Sequence, residues 1–253
     1  MEFADHKPYV AGDDTRHLDA RLHARLGEFH LRQFEVPRQL AVTILLDAST
    51  SMRAGQGGKL AAARWLANVL GYVGLAGGDR VRVAFWSGTA LIPSPGFSGA
   101  GRAERLFEWV EGQGPQGDGA FDAAFAPLGG LIGLRELVIV ISDWWVADPA
   151  AALLPLVARK AEAWSFQILD PDEVTPTGAA GESRLVDAET GEEVRLTLDP
   201  GALAAYETAL RAMQARLRTL HEGAGGRFLT LRTDVDLAEQ SLRRLRALGL
   251  VTG

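Results

Sequence analysis

Two uninterrupted apolar runs mark the centre of the fold that the sequence predicts. Residues 41–46 (AVTILL) and 137–141 (LVIVI) are too short for typical helices and rich in β-branched side chains. They therefore predict strands that are covered on both faces, as in a parallel sheet. Residues 81–86, 164–169 and 227–231 alternate more between apolar and polar positions, which predicts strands nearer the edges of the same sheet.

Segments with helical periodicity lie between the predicted strands. Because strand and helix alternate over about 200 residues, the sequence predicts a doubly wound α/β fold, with a mainly parallel sheet and helices on both faces. Ligand sites in such folds lie outside the carboxyl ends of the strands. The helical segments are residues 59–73, 102–110, 121–128, 149–160, 203–221 and 235–248.

Two stretches do not follow this alternation. Residues 1–38 precede the first central strand and are interpreted as an N-terminal extension, while residues 39–253 form one α/β domain. Within that domain, residues 184–198 contain two short alternating runs around a turn with a glycine. This pattern predicts a β-hairpin insert at the surface.

The composition narrows the possible chemistry. The chain of 253 residues contains no cysteine, which excludes disulfides, thiolate metal sites and thiol nucleophiles. Its formal charge of -6 and the lack of a basic run argue against a nucleic-acid partner. No apolar stretch approaches the roughly 18 residues of a membrane helix, and the start lacks a signal-peptide pattern, so no membrane span is predicted and a cytoplasmic location is expected.

The candidate phosphate-binding and catalytic motifs lack the residues or the neighbouring elements that their chemistry requires. The glycine pattern at residues 112–117 follows a helical segment and contains Pro115, which predicts a loop. Lys59 follows two glycines as in a phosphate loop, but Leu60 stands where a hydroxyl side chain would reach Mg²⁺. No histidine lies between residues 30 and 221, so the middle of the chain offers no imidazole as a general base.

One group of polar residues does lie where ligand sites of this fold are expected, at the carboxyl ends of strands. Asp47, Ser49 and Ser51 form a D-x-S-x-S pattern directly after the strand at 41–46, and Ser142 and Asp143 follow the strand at 137–141. Carboxylate and hydroxyl oxygens are ligands suited to Mg²⁺ or Mn²⁺. Two carboxylates at adjacent strand ends also repel unless a cation lies between them. The pattern predicts a metal site, although both serines also suit a turn or a helix cap.

These residues resemble the metal-ion-dependent adhesion site of von Willebrand factor A domains. The chain is similar over nearly its whole length to the bacterial domain-of-unknown-function 58 family, whose members have a Rossmann-type sheet of this kind. That similarity rests on an upstream signature and a downstream pattern. The upstream positions are Tyr9, Gly12, Asp13, Asp14, Arg16, Asp19 and Arg25, and the downstream ones are Leu169, Asp170, Pro171, Glu173, Tyr206, Thr233 and Asp234.

The sequence departs from these patterns at two places. Ala20 replaces the tryptophan of the upstream signature, and the adhesion-site threonine expected before Phe121 is missing. Asp118 lies in that stretch and is either a substitute metal ligand or a turn residue, and the lost threonine also leaves open that no metal is bound. Asp13, Asp14 and Arg16 are candidates for contact with a partner, with pairing among themselves as the alternative.

The resemblance implies a non-enzymatic protein-interaction module. Family members act typically with a MoxR-type AAA+ ATPase in the assembly or remodelling of client complexes, so ATP hydrolysis would belong to the partner. A divalent cation held by Asp47, Ser49, Ser51 and Asp143 would accept a carboxylate of the bound protein.

Two alternatives remain open at this point. One is a metal-free scaffold of the same fold, which the missing threonine favours. The other is a Mg²⁺-dependent phosphohydrolase with Asp47 as nucleophile, although Ser49 occupies the position where such enzymes place a second acid.

Overall fold

The computed structural model divides the chain into two units, residues 1–39 and residues 40–253. The structure describes residues 2–10, 13–35, 39–53, 58–87, 90–113, 128, 130–146, 148–176, 182–186, 193–197 and 199–247.

The first unit is a small antiparallel hairpin with a short helix between its strands. Strand β1 (Glu2–Pro8) pairs with β2 (His30–Glu35), and helix α1 (Ala20–Leu26) lies between them in the chain. The Asp19 carboxylate caps α1 by accepting from two backbone amides, and Gly27 ends it in the left-handed conformation. A single turn of 3-10 helix precedes Asp19.

The second unit contains a seven-stranded sheet in which most neighbours are parallel. The order is β11-β8-β7-β3-β4-β5, and both β5 and the short β6 pair with β4 in antiparallel orientation. This confirms the mainly parallel sheet predicted from the sequence. The strands of the second unit, of which β9 and β10 form a separate sheet, are β3 (Ala41–Asp47), β4 (Arg80–Ser87), β5 (Ala90–Pro93), β6 (Phe97–Ser98), β7 (Leu137–Ser142), β8 (Glu162–Leu169), β9 (Glu182–Val186), β10 (Glu193–Thr197) and β11 (Arg227–Arg232).

Two long helices of this unit begin with an aspartate cap and a proline. Asp148 and Asp199 cap α5 and α7, and a proline follows each cap at the first helical turn. Of the predicted helix at residues 121–128, all but Leu128 lies outside the described residues. The helices are α2 (Thr50–Arg53), α3 (Gly58–Ala76), α4 (Ala103–Gly112), α5 (Pro149–Ala158), α6 (Pro171–Val174), α7 (Pro200–Gly223) and α8 (Leu237–Ala247).

Apolar side chains of the sheet pack on both of its faces. Along β3, Ile44 belongs to a core that includes Leu66 of α3, while Leu45 belongs to a second core with Leu153 of α5 and Leu217 of α7. Successive residues of a strand point to opposite faces, so the continuous apolar run of β3 serves both cores. The helices on both faces are therefore as predicted.

Two of the three weaker strand patterns do not mark edges of the sheet. The sequence predicts β4 and β8 near the sheet edges, but β8 lies between β11 and β7, and β4 lies between β3 and β5. Ser165 and Gln167 of β8 are buried and hydrogen-bonded, to His221 and to the carbonyl oxygen of Asp143. A buried polar residue with a partner produces the same alternation as a solvated face.

The insert has the structure expected of a hairpin. Strands β9 and β10 pair with each other in antiparallel orientation, with Glu182 opposite Thr197 and Val186 opposite Glu193. They form a two-stranded sheet separate from the central one.

Candidate interaction site at the carboxyl ends of the central strands

The site is built around Asp47, the last residue of β3. Strands β3 and β7 run parallel with Leu46 opposite Ile141, which brings Asp47 beside Ser142. Ser142 Oγ donates to Asp47 Oδ2 at 2.6 Å, and the backbone N–H of Ser49 donates to Asp47 Oδ1 at 2.9 Å. Both carboxyl oxygens therefore have partners, and the residue is only 1% exposed.

The two serines of the D-x-S-x-S pattern lie next to each other. Ser49 Oγ and Ser51 Oγ are 3.1 Å apart and share a hydrogen bond. Ser49 is buried and Ser51 is half-buried at the start of the short helix α2. The structure thus gathers Asp47, Ser49 and Ser51 at one place.

Asp47 is held in an environment that disfavours its charge. Burial, and next the negative charge of Asp143, raise the pKa of Asp47 to about 7. The hydrogen bonds from Ser142 and Ser49 act in the opposite direction but are weaker. Asp47 and Asp143 therefore lie close enough to repel each other, as predicted from their strand ends.

A lysine neutralises the second aspartate. Lys59 lies in the first turn of α3 and is 2% exposed. Its Nζ is 2.9 Å from Asp143 Oδ2 and 2.5 Å from Glu173 Oε1. Burial alone lowers the pKa of Lys59, but the charges of Asp143 and Glu173 outweigh burial and raise it above its usual value. Lys59 is therefore a cation that belongs to the site itself.

Glu173 joins this ion pair to residues of the downstream pattern. Its Oε2 accepts from the backbone N–H of Asp170 at 2.8 Å, which completes a capping box on α6. Its backbone carbonyl accepts from Tyr206 Oη at 2.5 Å, and Asp170 Oδ1 accepts from Thr233 Oγ1 at 2.6 Å. The residues that carry the family resemblance thus support the buried lysine.

In the turn after β7, one of two adjacent tryptophans is buried and the other is exposed. Trp144 has a positive φ of 59°, is fully buried, and packs edge-to-face on His221. Trp145 is 41% exposed, and its Nε1 donates to Glu173 Oε1 at 3.1 Å. A non-glycine residue rarely adopts this backbone conformation, and here it stands between a buried and an exposed tryptophan ring.

Sequence reasoning missed Lys59 and Trp145 as parts of this site. The local pattern around Lys59 resembles only a phosphate loop, and its distance along the chain from Asp143 hides the ion pair. The available signal was a lysine in the first turn of a helix that follows the D-x-S-x-S loop. We call Ser51, Lys59, Asp143, Trp145 and Glu173, together with Asp47 and Ser49, the carboxyl-end rim.

The rim already holds a cation, the Lys59 ammonium, beside the carboxylates that a divalent ion would use. Asp47 and Asp143 accept hydrogen bonds from protein donors, and a divalent ion at Asp143 would face the like charge of this ammonium. Within the described residues, no group of three or more histidine, aspartate or glutamate side chains is arranged to hold a metal. Asp118, the predicted substitute ligand, lies outside the described residues. The Mg²⁺ or Mn²⁺ of the sequence analysis stays a prediction.

The charged residues of the N-terminal signature pair with neighbours inside their own unit. Asp13 accepts from Lys7 Nζ at 3.1 Å and from the backbone N–H of Val10 at 3.1 Å, and these bonds lower its pKa, the backbone bond most strongly. Arg16 and Asp14 form an ion pair at 3.0 Å. Contact of Asp13, Asp14 and Arg16 with a partner protein stays a prediction.

Comparisons with known proteins give a family model, a sequence relative and similar folds. A family model described as "Protein of unknown function DUF58" matches residues 5–216. An uncharacterized protein of Mycobacterium tuberculosis is 28% identical over 235 residues, which cover 90% of this chain and 73% of that relative.

Two solved structures superpose on most of this chain. An aerotolerance-related membrane protein from Bacteroides fragilis superposes with a TM-score of 0.49 at 17% identity, over 83% of this chain and 99% of that one. A von Willebrand factor type A protein from Catenulispora acidiphila superposes with a TM-score of 0.45 at 16% identity, over 84% of this chain and 43% of that one.

The cytoplasmic location expected from the sequence needs correction. One of the similar solved structures is a membrane protein, which contradicts that expectation. The expectation rested on missing apolar segments, and a missing segment says nothing about attachment by other means. Among the residues that the structure describes, no helix has both the length and the apolar content to cross a bilayer.

Proposed function

We propose that this chain, which belongs to the DUF58 family, is a non-enzymatic protein-interaction module of the von Willebrand factor A type. Its recognition surface is the carboxyl-end rim, and its partner is a MoxR-type AAA+ ATPase that acts on a client complex. The family resemblance supports the choice of partner. ATP binding and hydrolysis would belong to the ATPase, while this chain would provide recognition.

The observation that carries the proposal is the exposed indole of Trp145. Tryptophan is among the side chains that contribute most to protein–protein affinity, because it buries a large area at a low cost in conformational entropy. Trp145 is 41% exposed, and its Nε1 hydrogen bond to Glu173 holds the ring in place beside the buried charges. A partner that covers this ring would bury both its apolar face and the edge of the charge cluster.

The rim is a poor arrangement for hydrolysis. A phosphohydrolase needs an accessible nucleophile, but Asp47 is 1% exposed and both of its oxygens accept hydrogen bonds. His221, the buried histidine of the sheet unit, bonds to Ser165 and to the carbonyl oxygen of Leu217 and supports the core. The geometry of the described residues therefore favours recognition over turnover.

A binding measurement with a matched control tests the proposal. The variant Trp145→Ala and the control Leu134→Ala would be titrated, as full-length chains, against the purified MoxR-type ATPase of the same genome. Leu134 is 73% exposed but lies just before β7, at the opposite end of that strand from Trp145. We expect Trp145→Ala to weaken binding by about tenfold or more, as truncation of a central interface tryptophan does, and Leu134→Ala to change it by less than about twofold.

Two results would count against the proposal. If the wild-type chain shows no saturable binding to the ATPase, the partner is wrong. If both variants bind as the wild type does, the recognition surface lies elsewhere.

A further inference from the structure

Lys59 is an unusual residue because its ammonium group is almost completely buried. Its relative exposure is 2%, whereas lysine is among the residues least often buried. Burying an ammonium costs several kcal/mol unless opposite charges and hydrogen bonds compensate. Here Asp143 and Glu173 provide that compensation at 2.9 and 2.5 Å.

The start of α3 holds Lys59 firmly in this place. Gly58 lies so close to the end of β11 that an added Cβ atom would be 3.3 Å from Thr233 Cβ and 3.6 Å from Asp170 Oδ1. Asp170 and Thr233 are themselves hydrogen-bonded to each other. The lysine thus projects from a backbone that is packed against the rim.

The acceptors around Lys59 already have donors. Glu173 Oε1 accepts from Lys59 and from Trp145 Nε1, and Glu173 Oε2 accepts from the backbone N–H of Asp170. Asp143 Oδ2 accepts from Lys59, and Asp143 Oδ1 accepts from the backbone N–H of Trp145 at 3.3 Å. A divalent cation at Asp143 would have to share these oxygens with the existing donors and would face the like charge of the ammonium.

We propose that the Lys59 ammonium is the built-in counter-cation of the carboxyl-end rim, and that the rim recognises its partner without Mg²⁺ or Mn²⁺. The inference concerns the recognition surface of the proposed function and rests on it for the role of the partner. The chain supplies a positive charge at the strand ends through a side chain, where adhesion sites of this fold use an ion. Recognition would then be insensitive to chelators.

Direct metal titration is the first arm of the test. Wild-type protein would be titrated with Mn²⁺ up to about 1 mM, which reaches the weak end of protein sites for divalent cations, and binding would be followed by calorimetry and by the electron paramagnetic resonance of free Mn²⁺. We expect no saturable binding. Saturable binding of about one ion that is lost in Asp143→Asn would overturn the inference.

Partner binding in two buffers is the second arm. Affinity of the full-length chain for the nucleotide-free ATPase would be measured with excess EDTA and with Mg²⁺. We expect the two affinities to agree within about twofold, whereas a loss of about tenfold or more in EDTA, or about 1.4 kcal/mol, would show that an ion is required. Absence of binding in both buffers would refute the proposed function, and the Mn²⁺ titration would still decide on the counter-cation.

The third arm concerns the lysine itself. Lys59→Met leaves Asp143 and Glu173 without their shared cation, so we expect a clearly lower melting temperature or failure to fold. Lys160→Met is the matched control, because Lys160 lies well away from the rim at the end of α5, and it should melt as the wild type does. A Lys59→Met protein with an unchanged melting temperature would show that the ammonium does not stabilise the rim.

Discussion

The carboxyl group of Asp47 shows how one residue's environment sets its protonation. It accepts hydrogen bonds from Ser142 and Ser49, which favour the charged form. Burial and the nearby charge of Asp143 favour the neutral form and dominate, so the pKa rises to about 7. The Lys59 ammonium is paired with Asp143 and not with Asp47. Asp47 is therefore the carboxyl group of the rim whose charge changes near neutral pH.

This shift gives a signed prediction for stability. An acid whose pKa is about 7 in the folded protein, against an ordinary value of 3.8, binds its proton more tightly when folded, so its stabilising contribution is lost as pH rises through about 7. We expect wild type to lose free energy of unfolding relative to Asp47→Asn between about pH 4 and pH 7, at up to about 1.4 kcal/mol per pH unit.

Urea denaturation of both proteins at several pH values measures this difference. Leu134→Ala, at an exposed position without a titratable group, is the control and should keep a constant difference from wild type. A constant difference for Asp47→Asn as well would mean that the folded and unfolded pKa values of Asp47 are alike.

At the residue scale, the sequence predicted which side chains converge wherever strand topology alone determines their positions. Parallel strands place their carboxyl ends together, so the convergence of Asp47, Ser142 and Asp143 follows from two apolar runs and the residues after them. The pairing of Lys59 with Asp143 depends on how a helix start packs against the sheet and on how far a flexible side chain reaches. Neither quantity is visible in a local pattern.

At the scale of elements, the backbone just before edge strand β11 lies very close to the backbone of β8. Strands β8 and β11 pair in parallel with Trp164 opposite Arg227. Just before this pairing begins, a Cβ atom at position 226 would lie only 2.0 Å from the carbonyl oxygen of Ala163. Gly226 is therefore required by a backbone contact that no side-chain rotation can relieve.

The substitution Gly226→Ala should consequently open the start of β11. We expect a loss of about 1–3 kcal/mol or more in the free energy of unfolding, as for other overpacked sites, with faster hydrogen exchange along β11. Gly223→Ala is the matched control three residues earlier, because no atom beyond the backbone of its own helix and its chain neighbours lies within 4 Å of its added Cβ. Alanine is also the better helix former, so the control should be at least as stable as wild type. Equal stability of the two variants would contradict this account of the border.

At the scale of the whole molecule, the sheet unit builds its cores from its own residues. Among the described residues, both apolar cores of this unit consist of residues between Val42 and Leu237. The first unit is held by its own strand pairing and ion pairs. Sequence patterns predicted the sheet because the apolar runs of its central strands are uninterrupted. They did not anticipate the hairpin of β1 and β2, whose strands are polar and depend on pairing with each other.

A chain that begins at Leu40 should therefore fold without the first unit. We expect a cooperative unfolding transition in urea and a far-ultraviolet circular dichroism spectrum with helix and sheet. A broad transition with exposed apolar surface, detected by dye binding, would show that residues 1–39 are part of the same folding unit.

The opposite placement of the two adjacent tryptophans has an optical consequence. The sequence contains six tryptophans, all within the described residues, and of these only Trp145 is exposed, while Trp86 and Trp144 are sealed in the interior. The long-wavelength, quencher-accessible part of the intrinsic fluorescence should thus include the ring at the rim, with contributions from the half-buried Trp65, Trp109 and Trp164. Trp145 is therefore an intrinsic spectroscopic probe at the surface where we expect a partner to bind.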